Sequence, residues 1–357
     1  MKIIYSEEGR DQLVVNNSVM LTRGESLAYL DLQETVQEPT LKINRNYEHQ
    51  LKNFLKSSYR VALVGLGDVG ANLLLGLKLF GAGTLEEVGL YNPDERVSQR
   101  YALEMNQIYQ ENFDLDVKVV PLQEQEIFRA DVVIFTASGG VPPIGEEKVD
   151  VRKAQYLVNA GILSRYVAAA VKSGFKGLFL VVSDPVDLLC KVALEKGSPH
   201  LLPSQIAGFG QGVMYARARL SAENLGITDF KEQGRIYGPH GSELVVANSL
   251  SEYDEPLSME LTRLTVEANL RIRALGFKPF IAPAFSSGAL SILSYLRGQP
   301  TYSSQYLGGY YFGTRGRLTA DGFEFDVEKI PGKLMARLES SYKDMVSYYE
   351  KNPVDQG

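Results

Sequence analysis

From residue 59 onward, short continuous apolar runs alternate with longer apolar or amphipathic ones. Residues 60–64, Arg-Val-Ala-Leu-Val, end at glycines and predict a buried strand. Residues 71–80 predict a helix, 87–91 a second strand and 97–111 a second helix. Residues 117–120 and 131–135 predict third and fourth strands, 151–173 a long helix and 177–182 a further strand. Strands that are apolar throughout have both faces covered, and intervening helices supply the cover, so a parallel sheet is expected. From about Ile206 the pattern mixes helices with hairpins: 306–315 and 317–325 are strand-like runs flanking Gly316, and 334–349 is a closing helix. Residues 1–59 are only weakly periodic. There, 14–15 and 19–21 suit short strands around the turn-prone Asn16-Asn17, and 47–57 suits a short helix. This segment carries no chemical motif and suits either an oligomer arm or a flap over the next domain.

The glycines after the first strand change the picture. Gly65, Gly67 and Gly70 frame Asp68 and Val69 at the junction of strand and helix. At this spacing the first glycine makes the tight turn, the second admits a pyrophosphate and the third lets helix and strand pack closely. The helix N-terminus then favours the anion. A dinucleotide is the expected ligand, and a glycine turn with no ligand is the bland alternative. An acid about 20 residues further on usually holds the ribose hydroxyls. Asn92 stands there, followed by Pro93, Asp94, Glu95 and Arg96. Asparagine still hydrogen-bonds a ribose hydroxyl but does not repel a 2′-phosphate, and Arg96 or Arg100 would attract one. NAD is the expected cofactor, with NADP open; Asp94 is the alternative ribose acid if the turn is shifted.

Composition narrows the class. The chain has 357 residues, 45% hydrophobic and 22% charged, enough for about two globular domains. A net charge of -6 without a long basic block argues against nucleic acid as a partner. The opening residues lack the apolar core of a signal peptide, and no 18-residue apolar run predicts a membrane helix. A cytoplasmic protein is expected. The single cysteine, Cys190, lies in the apolar stretch 186–193 and reads as a core residue rather than a nucleophile. One thiol cannot build a cysteine zinc site, and no metal is expected.

There are three histidines. His240 sits in Gly238-Pro239-His240-Gly241-Ser242, after a predicted strand, where glycines let the backbone pass close to a ligand. It is the candidate general acid/base, with a structural turn histidine as the alternative. His49 and His200 read as surface residues. Gly208-Phe209-Gly210 leads into a predicted helix, 211–220, carrying Arg217 and Arg219. Arg217 is placed for a two-pronged contact with a carboxylate, and Arg219 suits the helix surface. Lys148 follows the glycine- and proline-rich segment 139–145, which suits a mobile lid.

In order along the chain, these features resemble the lactate/malate dehydrogenase family from about Tyr59 to Tyr349. The glycine loop resembles its cofactor loop, and 130–137, ending at Ala137, the strand before its active-site loop. Residues 145–151 resemble the segment with its mobile catalytic arginine, and 181–187 its VSNPVD run. Ala216-Arg217 resembles the end of its LDxAR motif, and 238–242 its GEHGD motif. The resemblance implies hydride transfer between nicotinamide and a hydroxyl-bearing carbon, with His240 moving the proton and Arg217 clamping the substrate carboxylate. It also implies a homodimer or homotetramer. The departures bear on activity. Lys148 stands for the arginine, keeping the charge but losing the fork. Met214 stands for the aspartate that orients the histidine, and cannot accept the imidazole N–H. Asp184 stands for the asparagine of VSNPVD, and would supply the negative charge that Met214 lacks. The lid offers Val141, Pro142, Pro143 and Ile144 and no arginine, so a monocarboxylic 2-oxo acid with an apolar side chain is expected. Lys278, in a stretch loosely matching the last active-site helix, would add positive charge.

The expected fold is α/β: a Rossmann-type doubly wound parallel sheet followed by an α+β catalytic domain. Residues 1–59 form an extension, 60–205 the dinucleotide-binding domain and 206–357 the catalytic domain. The candidate catalytic residues are His240, Arg217, Lys148 and Asp184. The candidate cofactor residues are Gly65, Gly67, Asp68, Val69, Gly70, Asn92 and Ala137. Two functions follow: an NAD(P)-dependent 2-hydroxyacid dehydrogenase, or a dinucleotide-binding relative with weak or no activity and a sensor or assembly role. A third, weaker one is a different acid–base reaction on a bound anion.

Overall fold

A computed structural model describes residues 54–139, 155–307, 309–320, 322–326 and 330–354, and the backbone of strands within residues 2–31. Those first strands are β1 (Lys2–Tyr5), β2 (Asp11–Val15), β3 (Ser18–Arg23) and β4 (Ser26–Asp31), paired antiparallel in sequence order. Val15 pairs with Ser18, which puts a two-residue connection at the expected position. The helix expected over 47–57 falls outside the described residues as far as 53, and 54–57 are not helical.

The predicted run of strands and helices is present. β5 (Tyr59–Val64) leads into α1 (Asp68–Phe80), β6 (Leu85–Tyr91), α2 (Glu95–Met105) and β7 (Lys118–Pro121). β8 (Val132–Phe135), α3 (Tyr156–Ser173), β9 (Leu178–Val181), α4 (Val186–Gly197) and β10 (Ile206–Gly208) follow. β8 and β9 are buried at every residue, as strands covered on both faces must be. Leu73, Leu74 and Leu77 of α1 are fully buried against this sheet. α2 starts at Asp94, whose side chain accepts the Arg96 N–H as an N-cap. It stops at Met105, before the expected end at 111.

The second half begins with α5 (Gln211–Asn224) and α6 (Phe230–Gln233), then the two-stranded pair β11 (Arg235–Tyr237) and β12 (Val245–Ala247). α7 (Glu255–Ala274) is a long helix that the apolar pattern did not mark; Asp254 caps it by accepting the Leu257 N–H. A π-helical stretch, Pro283–Ala289, runs into α8 (Leu290–Leu296). β13 (Thr301–Leu307), β14 (Tyr310–Thr319), β15 (Gly322–Phe325) and α9 (Gly332–Lys351) complete the chain.

The main sheet has nine strands in the order β15-β14-β13-β10-β9-β8-β5-β6-β7. From β7 to β10 neighbouring strands run parallel, in the order of a doubly wound Rossmann sheet. β13 joins the outer edge of β10 antiparallel, with Ser304 opposite Gly208. The sheet therefore continues from the Rossmann half into the second half of the chain without a break.

Gly316 differs from expectation. It lies inside β14 rather than between two strands. A Cβ there would stand 2.3 Å from the Glu324 carbonyl and 2.7 Å from the Phe323 ring, so the glycine marks close packing against β15, not a turn. Gly316→Ala is expected to lose about 1–3 kcal/mol through overpacking, read as a lower urea-unfolding midpoint at unchanged slope.

Candidate active site

The C-terminal ends of β5, β6, β8, β9 and β10 carry the expected chemistry. After β5, Gly65 takes φ 97°, a conformation side chains disfavour. A Cβ on Gly65 would stand 2.7 Å from the Ala137 backbone, and one on Gly70 would stand 2.1 Å from the Gly65 carbonyl. Thr136 closes the loop, its Oγ1 lying 2.7 Å from the Gly65 carbonyl and 3.0 Å from that of Val64. Gly67 is different: nothing lies within 4 Å of its Cβ position. The loop is thus tight beneath and open above, at the first turn of α1, which is the cradle a dinucleotide phosphate requires. Asp68 and Val69 line the cleft beside it.

Asn92 directly follows β6, whose Tyr91 carbonyl accepts the Gly65 N–H at 3.0 Å. Its Nδ2 lies 3.3 Å from the Asp94 carbonyl. Asp94 is committed elsewhere: both its oxygens accept from Arg96, at 2.9 and 2.7 Å, which holds its carboxyl below the usual range. Arg100 pairs with Glu104 at 3.0 Å. Neither arginine suggested for a 2′-phosphate is held ready for one, and Asn92 stays as the ribose candidate.

A single cleft gathers Asp184, Arg217 and His240 with Asp68 and Val69. His240 is 8% exposed, and its Nε2 lies 3.6 Å from Asp184 Oδ1. Gly210 presses on the imidazole: a Cβ there would stand 2.5 Å from His240 Cγ. Arg217 projects from α5, and its Nη1 lies 3.5 Å from Met214 Sδ. Met214 itself is fully buried in an apolar cluster with Val213, Ala218, Leu244 and Val246. Lys278 lines the cleft, and so do Arg273 and Asn269 from α7, which the sequence did not single out. Lys148, the lid residues Val141–Ile144 and His49 lie outside the described residues. His200 is exposed, and Arg219 pairs with Glu223 on the surface of α5. Among the described residues, no cluster of His, Cys, Asp and Glu is placed to hold a metal, and no helix is long and apolar enough to cross a membrane.

Two further groups support the cleft. Asn159 of α3 is fully buried; its Nδ2 donates to the Asp184 carbonyl at 2.7 Å and its Oδ1 accepts the Gly139 N–H at 2.8 Å. Asp187, in the first turn of α4, is 2% exposed and accepts the His240 backbone N–H at 2.7 Å. Burial pushes its carboxyl up to about 7, against the hydrogen bonds from Ser304 and His240; the Asp184 charge adds to the rise. In the sequence it closes the run 181–187 that resembles VSNPVD and stands as an acid within the apolar stretch 186–193. Cys190, one turn along, is buried, and its thiol is pushed up by that burial and by the Asp187 charge. It is a core residue.

Residues 59–208, from the start of β5 to the end of β10, match the family model for the lactate/malate dehydrogenase NAD binding domain. Over this stretch the chain is similar to the lactate/malate dehydrogenase family. Among curated relatives, an L-lactate dehydrogenase of Staphylococcus saprophyticus is 29% identical over 208 residues, 57% of this chain and 61% of that protein. One of Latilactobacillus sakei is 30% identical over 193 residues, 54% of this chain and 56% of the relative. The chain thus matches little more than half the length of these relatives. Solved structures share the fold over more of the chain. The minor L-lactate dehydrogenase of Enterococcus mundtii aligns with TM-score 0.70 at 21% identity, covering 84% of this chain and all of that one. A Cryptosporidium parvum lactate dehydrogenase, complexed with lactic acid and nicotinamide adenine dinucleotide, aligns at 0.69 and 20%, covering 82% and 97%.

Met214 is a packing residue, and His240 meets Asp184 at the ring and Asp187 at the backbone N–H. Two predictions follow from the geometry. Gly67→Ala is expected to keep its thermal stability and lose NADH affinity, while Gly70→Ala is expected to lose about 1–3 kcal/mol of stability as well; calorimetry and fluorescence titration separate the two. The raised Asp187 carboxyl means the folded chain holds a proton between about pH 4 and 7 that the unfolded chain releases. Its contribution is therefore present at the acid end and lost as pH rises. The stability of the wild type minus that of Asp187→Asn is expected to fall across this window and level off above it, measured by urea unfolding at each pH.

Proposed function

We propose that the chain is an NAD-dependent 2-hydroxyacid dehydrogenase, interconverting a monocarboxylic 2-oxo acid and its 2-hydroxy acid. The observation that carries this is the meeting of His240, Arg217 and the phosphate cradle in one cleft at the switch point of the sheet. Gly65, Gly67, Gly70 and the first turn of α1 would hold the pyrophosphate and Asn92 the ribose, with Ala137 forming the floor beside them. Bound NAD supplies the hydride acceptor for the hydroxy acid, and NADH the donor for the oxo acid.

The chain's own residues do the rest. Arg217 meets the substrate carboxylate with its planar fork, and Arg273 and Lys278 add positive potential to the same cleft. His240 moves the proton to or from the substrate oxygen. Asp184 near Nε2 favours the protonated imidazole, which arms His240 to donate a proton to the oxo acid. Lys148 serves as the cation that polarises the carbonyl. Residues 60–205 bind the nucleotide, 206–357 supply the catalytic groups, and the chain works in the cytoplasm as a homodimer or homotetramer.

One observation favours a second reading. Met214 is sealed in the core, so the usual acceptor for the imidazole is gone. A dinucleotide-binding relative with weak or no turnover, in a sensor or assembly role, has the same cradle. Consumption of NADH and NADPH against a panel of 2-oxo acids, from pyruvate to bulky apolar ones and oxaloacetate, decides between them. The expected result is turnover of NADH with an apolar monocarboxylic acid, lowered about 10²–10⁴-fold by His240→Asn with NADH binding retained. Binding of NADH without turnover on any acid would select the second reading.

A further inference from the structure

Helix α5 carries Arg217 in its second turn, yet its start has no cap of its own. The N-cap is Gly210, which brings no side chain to the N–H groups of the first turn. Serine, threonine, asparagine or aspartate is the usual choice there. None of them fits, because a Cβ at Gly210 would stand 2.5 Å from Cγ and 2.7 Å from Cβ of His240. The missing bond comes from a distant part of the chain. Ser287 Oγ accepts the Val213 N–H at 2.9 Å and donates to the Gly210 carbonyl at 2.7 Å. Val213 is the third residue of the helix, so its N–H is one that an N-cap side chain would take.

Ser287 has a rigid seat. It is 2% exposed and lies in the π-helical stretch Pro283–Ala289. Such stretches are rare and frequent at functional sites. This one is wedged between α1 and α5. On one side, a Cβ at Gly288 would stand 2.7 Å from Leu73 of α1; on the other, a Cβ at Gly212 would stand 2.1 Å from the Ser286 carbonyl. That carbonyl in turn accepts the Ser291 hydroxyl at 2.6 Å.

We propose that Ser287 is a positioning residue of the site: it caps α5 from outside, and so fixes both the Gly210 wall of the His240 ring and the place of Arg217. The inference rests on the reading of His240 as the proton-transfer residue and Arg217 as the carboxylate clamp. Gly210 and Val213 are buried, so without the serine hydroxyl the Val213 N–H and the Gly210 carbonyl lose a partner that water does not replace. The first turn then has to shift to satisfy them. Such a shift moves Gly210 against the imidazole and displaces Arg217 with the helix. The glycine that makes room for His240 thus creates the need that Ser287 meets.

The test reads His240 directly, by NMR of the imidazole signals in the full-length protein, with His49→Gln and His200→Gln to assign the three histidines. Ser287→Ala removes both bonds and little volume. It is expected to move and broaden the His240 signals and leave those of His200 in place. Gly316→Ala, which strains the packing of β14 on β15, is the control for lost stability alone and is expected to leave His240 unmoved. Where turnover is measurable, Ser287→Ala is expected to lower kcat/KM about 10- to 100-fold, through kcat, with NADH affinity retained. His240 signals that coincide in wild type and Ser287→Ala, or that move equally in Gly316→Ala, would overturn the proposal. If Ser287→Ala does not fold, Ser287→Cys, which keeps a weak donor of similar shape, decides by the same signals with a smaller movement expected. The signals need no turnover. A chain inactive on every 2-oxo acid but with displaced His240 signals in Ser287→Ala sinks the dehydrogenase reading alone; an active one with coincident signals sinks this proposal alone.

Discussion

Everything in the site depends on one constraint of the sheet, the divergence of β5 and β8. These strands are hydrogen-bonded neighbours, yet the chain leaves β5 toward β6 and leaves β8 toward β9, on the opposite side. Right-handed crossovers then place the following helices on opposite faces. A crevice opens between the two strand ends. The glycine loop stands on one side of that crevice and residues 136–139 on the other. Thr136 bridges them, bonded to the carbonyls of Val64 and Gly65. Breaking that bridge would loosen the cradle and the floor of the cleft together.

Much of this was legible along the chain because it is encoded locally. A strand buried on both faces must be apolar throughout, so β8, β9 and the part of β5 after Arg60 announce themselves. The glycine spacing encodes backbone contacts within a few residues. His240 and Arg217 were found through short motifs, and the structure brings both to one cleft. Other features are encoded across the fold and left little trace. Asp187 gains its meaning from Ser304, 117 residues away, and from His240, 53 away. Gly316 looked like a breaker because a glycine in a strand signals a turn unless the partner strand is known. Arg273 reaches the cleft only because α7 is long, and its apolar face is too interrupted to mark the helix in advance.

The substitutions at the site are easier to understand together than singly. A methionine in the apolar cluster under α5 contributes packing where a carboxylate would have to be desolvated. An aspartate just after β9 puts a carboxylate 3.6 Å from the imidazole Nε2. The imidazole thus keeps an anionic neighbour at Nε2. That arrangement asks more of the surrounding cations, and Arg217, Arg273 and Lys278 meet it from the helical side of the cleft.

The seam between β10 and β13 has a consequence for how the molecule can be divided. β10 is only three residues long, and its outer edge is covered by a strand from the far end of the chain. Cutting after Gly208 would leave a nucleotide-binding half with a bare, apolar edge, the kind of surface on which other chains add as strands. The two halves therefore share a border, and the continuous sheet is the unit that keeps that border covered.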